Sequence, residues 1–191
     1  MMATRKRVEV ETAMRTPRLV LSPLDPRHAR ALFELLNDWD VVRMLSEVPW
    51  PLRYEDVETF LASEHPATED FIVLDARDPI GVIGIKKPGS GEPPRKMPRL
   101  GYWIGRPHWG RGIGTAAVAA LVDRAFAKYP HDRVGAGVFR ENAASQRVLE
   151  KLGFTEVGPK VVQSRSRGGD VEAIDMQITR AKWADAKAGS R

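Results

Sequence analysis

The spacing of hydrophobic positions changes several times along the chain, and the changes predict helices alternating with strands. Residues 18–24 (RLVLSPL) alternate as a half-buried strand does, and Asp25 followed by Pro26 is typical of a helix start. The helix predicted over residues 26–37 places four apolar side chains on one face, namely Ala29, Leu32, Phe33 and Leu36. Further helices are expected near Val41 and over residues 54–64.

The rest of the chain predicts strands first and then a strand–helix–strand–helix–strand series. Two apolar runs, 71–75 and 80–87, surround a turn at residues 77–79 and predict a hairpin. The composition of residues 88–98 is typical of a loop. After it we expect a strand over 99–105, a helix over 115–129, a strand over 132–139, a helix over 141–154, and strands over 155–162 and 171–179.

This order of elements predicts an α+β domain with a mixed, mostly antiparallel central sheet flanked by helices. A chain of 191 residues, 42% hydrophobic and 29% charged, can bury the core of one domain. We place that domain at residues 17–183, between a basic N-terminal arm over 1–16 and a C-terminal tail over 184–191.

Composition narrows the classes of function. No run of eighteen apolar residues occurs and the N-terminus lacks an apolar signal-peptide core, so we expect a soluble cytoplasmic protein without a membrane partner. With no cysteine, thiol catalysis and cysteine zinc sites are excluded, and the four histidines show no metal-ligand spacing. The histidines also form no Ser-His-Asp pattern.

The net charge of +5 raises the hypothesis of nucleic-acid binding. Residues 1–15 contribute +2 of that charge and residues 184–191 contribute +1, so only +2 remains for the domain. Without a helix-turn-helix signature or RNA-binding aromatic motif, this hypothesis rests on the arm, whose removal would abolish salt-dependent binding.

A glycine-rich loop, GRPHWGRGIGTAA over residues 105–117, follows the strand predicted at 99–105. It lacks the Lys-Ser/Thr pair of an ATP-binding P-loop, and Thr115 stands where a dinucleotide fingerprint has its third glycine. Unpaired backbone N–H groups at the N-terminus of the following helix nevertheless attract anions, and glycines allow close approach. The loop therefore predicts a diphosphate site on main-chain groups, the alternative being a tight turn onto a close-packed helix.

A second motif, ENAASQRVLEKLGF over residues 141–154, follows the glycine loop by about thirty residues. Together with WGRGIG (109–114), it resembles the GNAT superfamily of acetyl-CoA-dependent N-acetyltransferases, in particular the RimJ/RimL-like branch that modifies protein N-terminal and related amino groups. The resemblance extends over about residues 17–183. It implies the GNAT fold, in which two central strands splay apart, and acetyl-CoA as cosubstrate without a metal.

The resemblance also implies roles for single residues. The residues that match the family's CoA pyrophosphate loop are Gly110, Arg111, Gly112, Ile113, Gly114 and Thr115. Those that match the strand beside the pantetheine arm are Tyr102, Trp103 and Ile104. Asn142 matches a residue that hydrogen-bonds pantetheine or nearby backbone, or it only caps the helix. Arg111, Arg147 and Lys151 either reach CoA phosphates or are surface charges.

The chain departs from the wider superfamily at two positions. Trp109, rather than Arg or Gln, stands three positions before Gly112, as is usual in the RimJ/RimL-like branch. Leu149 stands where many members have a tyrosine that protonates the leaving thiolate. Ser145 matches a serine proposed to take that role in RimL-like enzymes, so we assign it a catalytic role, against the alternative of a plain first-turn serine.

The acceptor amine and its general base are less well determined. A lysine amine needs deprotonation, whereas an α-amine with a pKa of roughly 8 is already partly neutral at pH 7. Glu172 is the candidate catalytic base, with Asp170 and His108 as further candidates, and each is alternatively a surface residue. The front helices, residues 49–54 and the turn at 164–170 are expected to select the acceptor.

An excess of acid over residues 54–78 would suit a cationic acceptor, or it is a solvated face. Trp39 and Trp50 either line the acceptor cleft or fill the core. Three functions therefore remain in the order N-acetyltransferase, non-catalytic acyl-CoA-binding module on the same fold, and nucleic-acid-binding protein. Related enzymes are often monomers or dimers, so we expect a monomer or homodimer.

Overall fold

Eight strands form one mixed sheet in the computed structural model, which describes residues 14–16 and 18–188. The strands are β1 (Met14–Arg15), β2 (Leu19–Pro23), β3 (Thr68–Asp75), β4 (Asp78–Lys86), β5 (Arg99–Ile104), β6 (Arg133–Phe139), β7 (Thr155–Ser164) and β8 (Gly169–Thr179). They lie in the order β1-β2-β3-β4-β5-β6-β8-β7. Every neighbouring pair is antiparallel except β5 and β6, which are parallel. The predicted fold class is confirmed.

The helices are α1 (Ala29–Leu36), α2 (Trp39–Val42), α3 (Tyr54–Ala62), α4 (Ile113–Lys128), α5 (Ala143–Lys151) and α6 (Arg180–Ala188). The helix predicted from residue 26 begins as a 3-10 turn, Pro26–His28, before it becomes α1. Asp25 caps this turn as expected, because its carboxylate accepts a hydrogen bond from the Arg27 amide at 3.0 Å.

Helix α6 was not predicted, and it includes most of the segment that the sequence analysis assigned to a tail. Its one large apolar residue, Trp183, is buried and donates its indole N–H to Asp123 at 2.9 Å. Lys187 pairs with the same carboxylate at 2.9 Å. A single apolar residue gives no helical periodicity, so the hydrophobic pattern carried no signal. Of the basic arm predicted over 1–16, residues 1–13 lie outside the described residues, as do 17 and 189–191, whereas Met14–Arg15 form β1.

The two faces of the sheet are covered differently. Helices α4, α5 and α6 pack on one face, and the large core there includes Leu121, Leu149 and Trp183. Helices α1, α2 and α3 cover the other face through a smaller core that includes Ile72 and Val82, on β3 and β4. Residues of β5 to β8 on this second face line an open cleft instead.

One carboxylate, Glu69 on β3, is buried beneath α4. It accepts from Arg124 at 2.7 Å and pairs with Lys128 at 2.7 Å, and the Tyr129 hydroxyl also donates to it. Burial alone would raise the pKa of Glu69, but the hydrogen bonds from Lys128, Tyr129 and Arg124 outweigh it and lower that pKa. Glu69 therefore ties β3 to the last turns of α4.

No helix among residues 14–16 and 18–188 has both the length and the apolar character needed to cross a membrane.

Candidate active site

The central feature of the site is a gap between two neighbouring strands. β5 and β6 pair at only two positions, Arg99 with Gly135 and Leu100 with Ala136, and then diverge. Beyond these positions the facing edges of the two strands have no ladder partner, so their polar groups are open to a ligand. A cleft of about 1280 Å³ passes along this splay and is lined by residues from both strands.

The glycine loop meets one end of the cleft and leads into α4. Gly110 (φ +71°) and Gly112 (φ +75°) both have left-handed backbone conformations, which glycine adopts without strain. A Cβ added at either position would have no atom within 4 Å, so the surrounding space is open. Gly112 is the N-cap of the 16-residue α4 and provides no side-chain cap. The first amides of α4 are thus available to an anion.

The side chains of the loop point in different directions. Ile113 is buried in the core, so only its backbone can face the cleft. The Arg111 guanidinium lies 3.3 Å from the Asp75 carboxylate and 3.2 Å from His108 Nδ1. Trp109 is half exposed and donates its indole N–H to the Ile104 carbonyl at 2.6 Å, which fixes the loop to the end of β5.

Tyr102 and Ser145 meet on the face of the splay that α4 and α5 cover. Their hydroxyl oxygens are 2.8 Å apart. Asn142 caps α5, because its side-chain oxygen accepts a hydrogen bond from the Ser145 amide at 3.0 Å, and this capping role was expected. Burial raises the pKa of the Tyr102 phenol, so the hydroxyl is protonated at neutral pH. Leu149 is wholly buried in the core.

The three residues expected beside pantetheine divide between the two faces of the sheet. Side chains alternate along a strand, so Tyr102 points toward α5 whereas Trp103 packs against the smaller core of α1 to α3. Ile104 is nearly buried, and all three residues line the cleft. Gly110, Gly112, Gly114, Thr115 and Asn142 line it as well.

Glu172, the candidate base, does not join this group. Its side chain is 81% exposed, lies 3.6 Å from Arg140, and is not among the residues that line the cleft. Asp170 lies with it in a separate shallow concavity, whereas His108 lines the main cleft. The base role of Glu172 stays a prediction, and its side chain would act from outside the described cleft.

The turn between β7 and β8 is hydrogen-bonded to the residues that follow α2, and the expectation that this turn selects the acceptor stays a prediction. The Arg165 amide donates to the Ser46 carbonyl at 2.9 Å, and Arg167 donates to the Arg43 carbonyl at 3.0 Å. Arg167 also pairs with Glu141 and lowers the pKa of that carboxyl. The residues after α2, at 43–47, therefore form a fixed wall of the cleft.

Other expectations for the acceptor side are not met by the geometry. Trp39 and Trp50 contact each other with ring centroids 5.4 Å apart and ring planes inclined at 53°, remain about two-fifths exposed, and do not line the cleft. The acidic residues of 54–78 do not line it either. Within that segment Glu69 is buried, and Asp75 pairs with Arg18 and Arg111. The segment is therefore not one solvated acidic face.

A polar cluster on the face of the splay opposite Tyr102 and Ser145 was missed by the sequence analysis. It consists of Arg99 on β5, Lys160 on β7, and Asp175 and Gln177 on β8. The alternation of Asp175 and Gln177 with the apolar Ile174, Met176 and Ile178 indicates a polar face on β8 and could have revealed it. The pairing across four strands could not be read from the sequence.

No group of three or more histidine or carboxylate side chains in the part of the chain that the structure describes could hold a metal ion. The site thus consists of a glycine loop at a helix N-terminus, a strand splay, and a pair of hydroxyls on one face of that splay.

Comparison with known proteins identifies relatives for this arrangement. The chain is 46% identical to the Bacillus subtilis protein YjcK over 59 residues, which are 31% of this chain and 33% of that protein. It is 25% identical to the uncharacterized N-acetyltransferase p20 of Bacillus licheniformis over 183 residues, 88% of this chain and 97% of the relative.

Solved structures share the fold. A GNAT-family acetyltransferase from Bacillus anthracis matches with a TM-score of 0.74 at 21% identity, over 88% of this chain and 98% of that one. RimL, a ribosomal L7/L12 α-N-protein acetyltransferase, matches with a TM-score of 0.70 at 18% identity, over 88% and 94%. Spermidine N-acetyltransferase from Vibrio cholerae, solved with CoA and spermine, matches with a TM-score of 0.72 at 20% identity, over 88% and 99%.

The family model of the acetyltransferase (GNAT) domain matches residues 18–155, which include the glycine loop, the splay and Ser145. The predicted resemblance and fold are confirmed, and the chain belongs to the GNAT family of acetyl-CoA-dependent acetyltransferases.

Proposed function

We propose that this enzyme transfers the acetyl group of acetyl-CoA to a primary amine by direct attack within a ternary complex. The acceptor is a protein N-terminal α-amino group or a small-molecule amine. The observation that carries the proposal is the splay between β5 and β6, because it joins the glycine loop, the hydroxyl pair and an open acceptor face within one cleft.

The glycine loop supports binding of the CoA pyrophosphate. In this proposal the backbone of Gly110 to Thr115 receives the diphosphate at the N-terminus of α4, where the amides and the helix dipole favour negative charge. The strand that contains Tyr102 and Ile104 runs beside pantetheine, with Asn142 at the start of α5 nearby. Arg147 and Lys151 on α5 line the same part of the cleft and are candidates for the remaining phosphates.

The two faces of the splay have different roles in the proposed acetyl transfer. The amine nitrogen attacks the thioester carbonyl, the carbon–sulfur bond breaks, and the sulfur leaves with the electron pair. The nitrogen gives up one proton to solvent, and solvent restores the proton that the sulfur takes from the hydroxyl pair. Ser145 and Tyr102 lie on the face of the splay that α5 covers. From there they would donate a hydrogen bond, and then a proton, to that sulfur. The acceptor enters from the opposite face, where Gly101 and Gly137 are exposed. Proximity in the ternary complex supplies much of the rate acceleration.

The hydroxyl pair bears on the competing hypothesis of a non-catalytic acyl-CoA-binding module. That alternative rests on the absent tyrosine, which is replaced by the buried Leu149. Tyr102 offers a phenol from β5 instead of from α5, and its contact with Ser145 favours an enzyme.

The test follows free-thiol release from acetyl-CoA with a panel of acceptors: N-terminal peptides, amino acids, polyamines and aminoglycosides. CoA affinity is measured in parallel by calorimetry. The proposal predicts turnover above background hydrolysis with at least one class of primary amine. Tight CoA binding without turnover on any amine would favour the non-catalytic module.

A further inference from the structure

The acceptor face of the splay carries a cluster of charges that the proposed reaction does not use. Arg99 and Asp175 form an ion pair, and their side chains are only 20% and 21% exposed. Gln177 donates a second hydrogen bond to Asp175 at 3.0 Å. This carboxylate is thus satisfied within the protein, and its hydrogen bonds with Arg99 and Gln177 lower its pKa despite burial, which raises it.

Lys160 extends into the same cluster without a comparable partner. Its side chain is half-buried, and within residues 14–16 and 18–188 its ammonium group makes no hydrogen bond or ion pair. Burial lowers the pKa of Lys160, and the neighbouring Arg99 lowers it further, whereas Asp175 opposes the shift. The cations Lys86, Arg95 and Lys96 also line the cleft. Lys86 pairs with Glu47, whereas Arg95 donates to the neutral Ser90 hydroxyl at 3.1 Å and keeps its charge.

Lys160 and Arg99 both lie next to Gly137 at the splay. A Cβ added to Gly137 would lie 3.3 Å from Lys160 Nζ and 3.6 Å from a terminal nitrogen of Arg99. Gly137 is exposed and follows Ala136, the last residue of β6 that pairs with β5. Lys160 and Arg99 therefore converge above the point where the strands part, on the face opposite Tyr102 and Ser145.

We propose that Lys160 and Arg99 form a subsite for a carboxylate that the acceptor carries within a few bonds of its reacting amine. The inference rests on the proposed function, since the amine must reach the splay. Arg99, Lys160 and Asp175 together retain one positive charge, which one carboxylate neutralises. The same charge disfavours a polyamine, whose additional ammonium groups would meet like charge.

Two kinds of acceptor carry such a carboxylate. One is a free amino acid, through its α-carboxylate, and the other is a peptide with an Asp or Glu side chain near its N-terminus. The experiment uses the full chain with saturating acetyl-CoA and compares kcat/KM within matched pairs. One arm compares a peptide that begins with Glu against the same peptide with Gln. The other arm compares an amino acid against its amide.

The variants Lys160→Gln and Lys160→Arg are measured beside Lys182→Gln, an exposed position on α6. We expect the wild type to prefer the acidic member of at least one pair by about tenfold, mainly through KM. Lys160→Gln should remove the preference and leave kcat/KM for the uncharged member of each pair within about twofold of the wild-type value. Lys160→Arg and Lys182→Gln should keep the preference.

Turnover without a charge preference would overturn the subsite but leave the proposed function standing. A preference that survives in Lys160→Gln, or an equal loss on both members of a pair, would also overturn it. Absence of turnover on every amine would overturn the proposed function, and the subsite with it.

Discussion

The hydroxyls of Tyr102, on β5, and Ser145, on α5, lie 2.8 Å apart on one face of the strand splay. Because Ser145 belongs to the first turn of α5 and its amide is held by Asn142, the hydroxyl has a fixed approach to the splay. Two hydroxyls in contact can share the stabilisation of a developing thiolate, which a lone serine hydroxyl with a high pKa stabilises only weakly.

Ser145→Ala and Tyr102→Phe each remove one member of this pair. We expect each variant to lower kcat by roughly ten- to a hundredfold, since a hydrogen bond to a charged group contributes about 1.5–3 kcal/mol. The double variant should lose little more than the worse single variant, because the two groups act as a unit. Steady-state kinetics with saturating acetyl-CoA measures this, and fully multiplicative losses would show that the hydroxyls act independently.

A matched pair of variants at Gly112 tests whether the glycine loop binds the diphosphate of CoA. Gln and Glu impose the same strain on the left-handed backbone, so both variants should lose about 1 kcal/mol of stability or more. Only Glu adds a carboxylate where we place the diphosphate. Calorimetric titration with CoA should therefore give at least tenfold weaker binding for Gly112→Glu than for Gly112→Gln, and equal affinities would place the diphosphate elsewhere.

The pH dependence of the rate tests for a general base. With an α-amine acceptor, kcat/KM should rise with pH and level off above the amine's own pKa of roughly 8. Because the Glu172 side chain is 81% exposed and lies outside the cleft, we expect Glu172→Gln to keep this profile and to change the rate by less than about twofold. A loss of tenfold or more with a changed profile would instead support Glu172 as the base.

Glu69 gives a prediction about stability rather than activity. Its folded-state pKa is lowered, so its ionised form stabilises the fold at pH values above its ordinary pKa, and this contribution is lost as the pH falls through the folded value. Glu69→Gln should cost about 1–3 kcal/mol at pH 7, because it replaces the buried carboxylate that Arg124 and Lys128 contact with a neutral group. The difference from wild type should shrink below about pH 4.

Urea unfolding of both proteins at pH 7, 4, 3 and 2.5 measures this effect. Glu64→Gln is the control, because Glu64 is exposed. A destabilisation by Glu69→Gln that stayed constant over this range would mean that packing, and not ionisation, accounts for the role of Glu69.

Much of the fold could be predicted from the sequence because local signals agreed with the tertiary structure. Asp25 and Asn142 cap their helices as predicted, and the hairpin of β3 and β4 follows from two apolar runs. Helix α6 escaped prediction because one buried tryptophan, held by Asp123 from α4, stabilises it through a contact distant in sequence.

The acceptor side could not be predicted for a related reason. Lys160 lies on β7 and Arg99 on β5, and the sheet places β6 and β8 between these two strands. Only this strand order brings both side chains close to Gly137 on β6. Conversely, the acidic residues of 54–78 are neighbours in sequence but divide among a buried network, surface pairs and solvent. Charge counted along the chain therefore did not predict charge in the cleft.

The most direct test of the central claim is mass spectrometry of a peptide incubated with the enzyme and acetyl-CoA. The peptide carries a free α-amine and one internal lysine, and a partner peptide has its N-terminus blocked. The proposed transfer at the splay predicts one added acetyl group on the α-amine of the first peptide, dependent on enzyme and slowed by Ser145→Ala. If neither this peptide nor small-molecule amines gained an acetyl group while CoA still bound, the account of this cleft as an acetyl-transfer site would be contradicted.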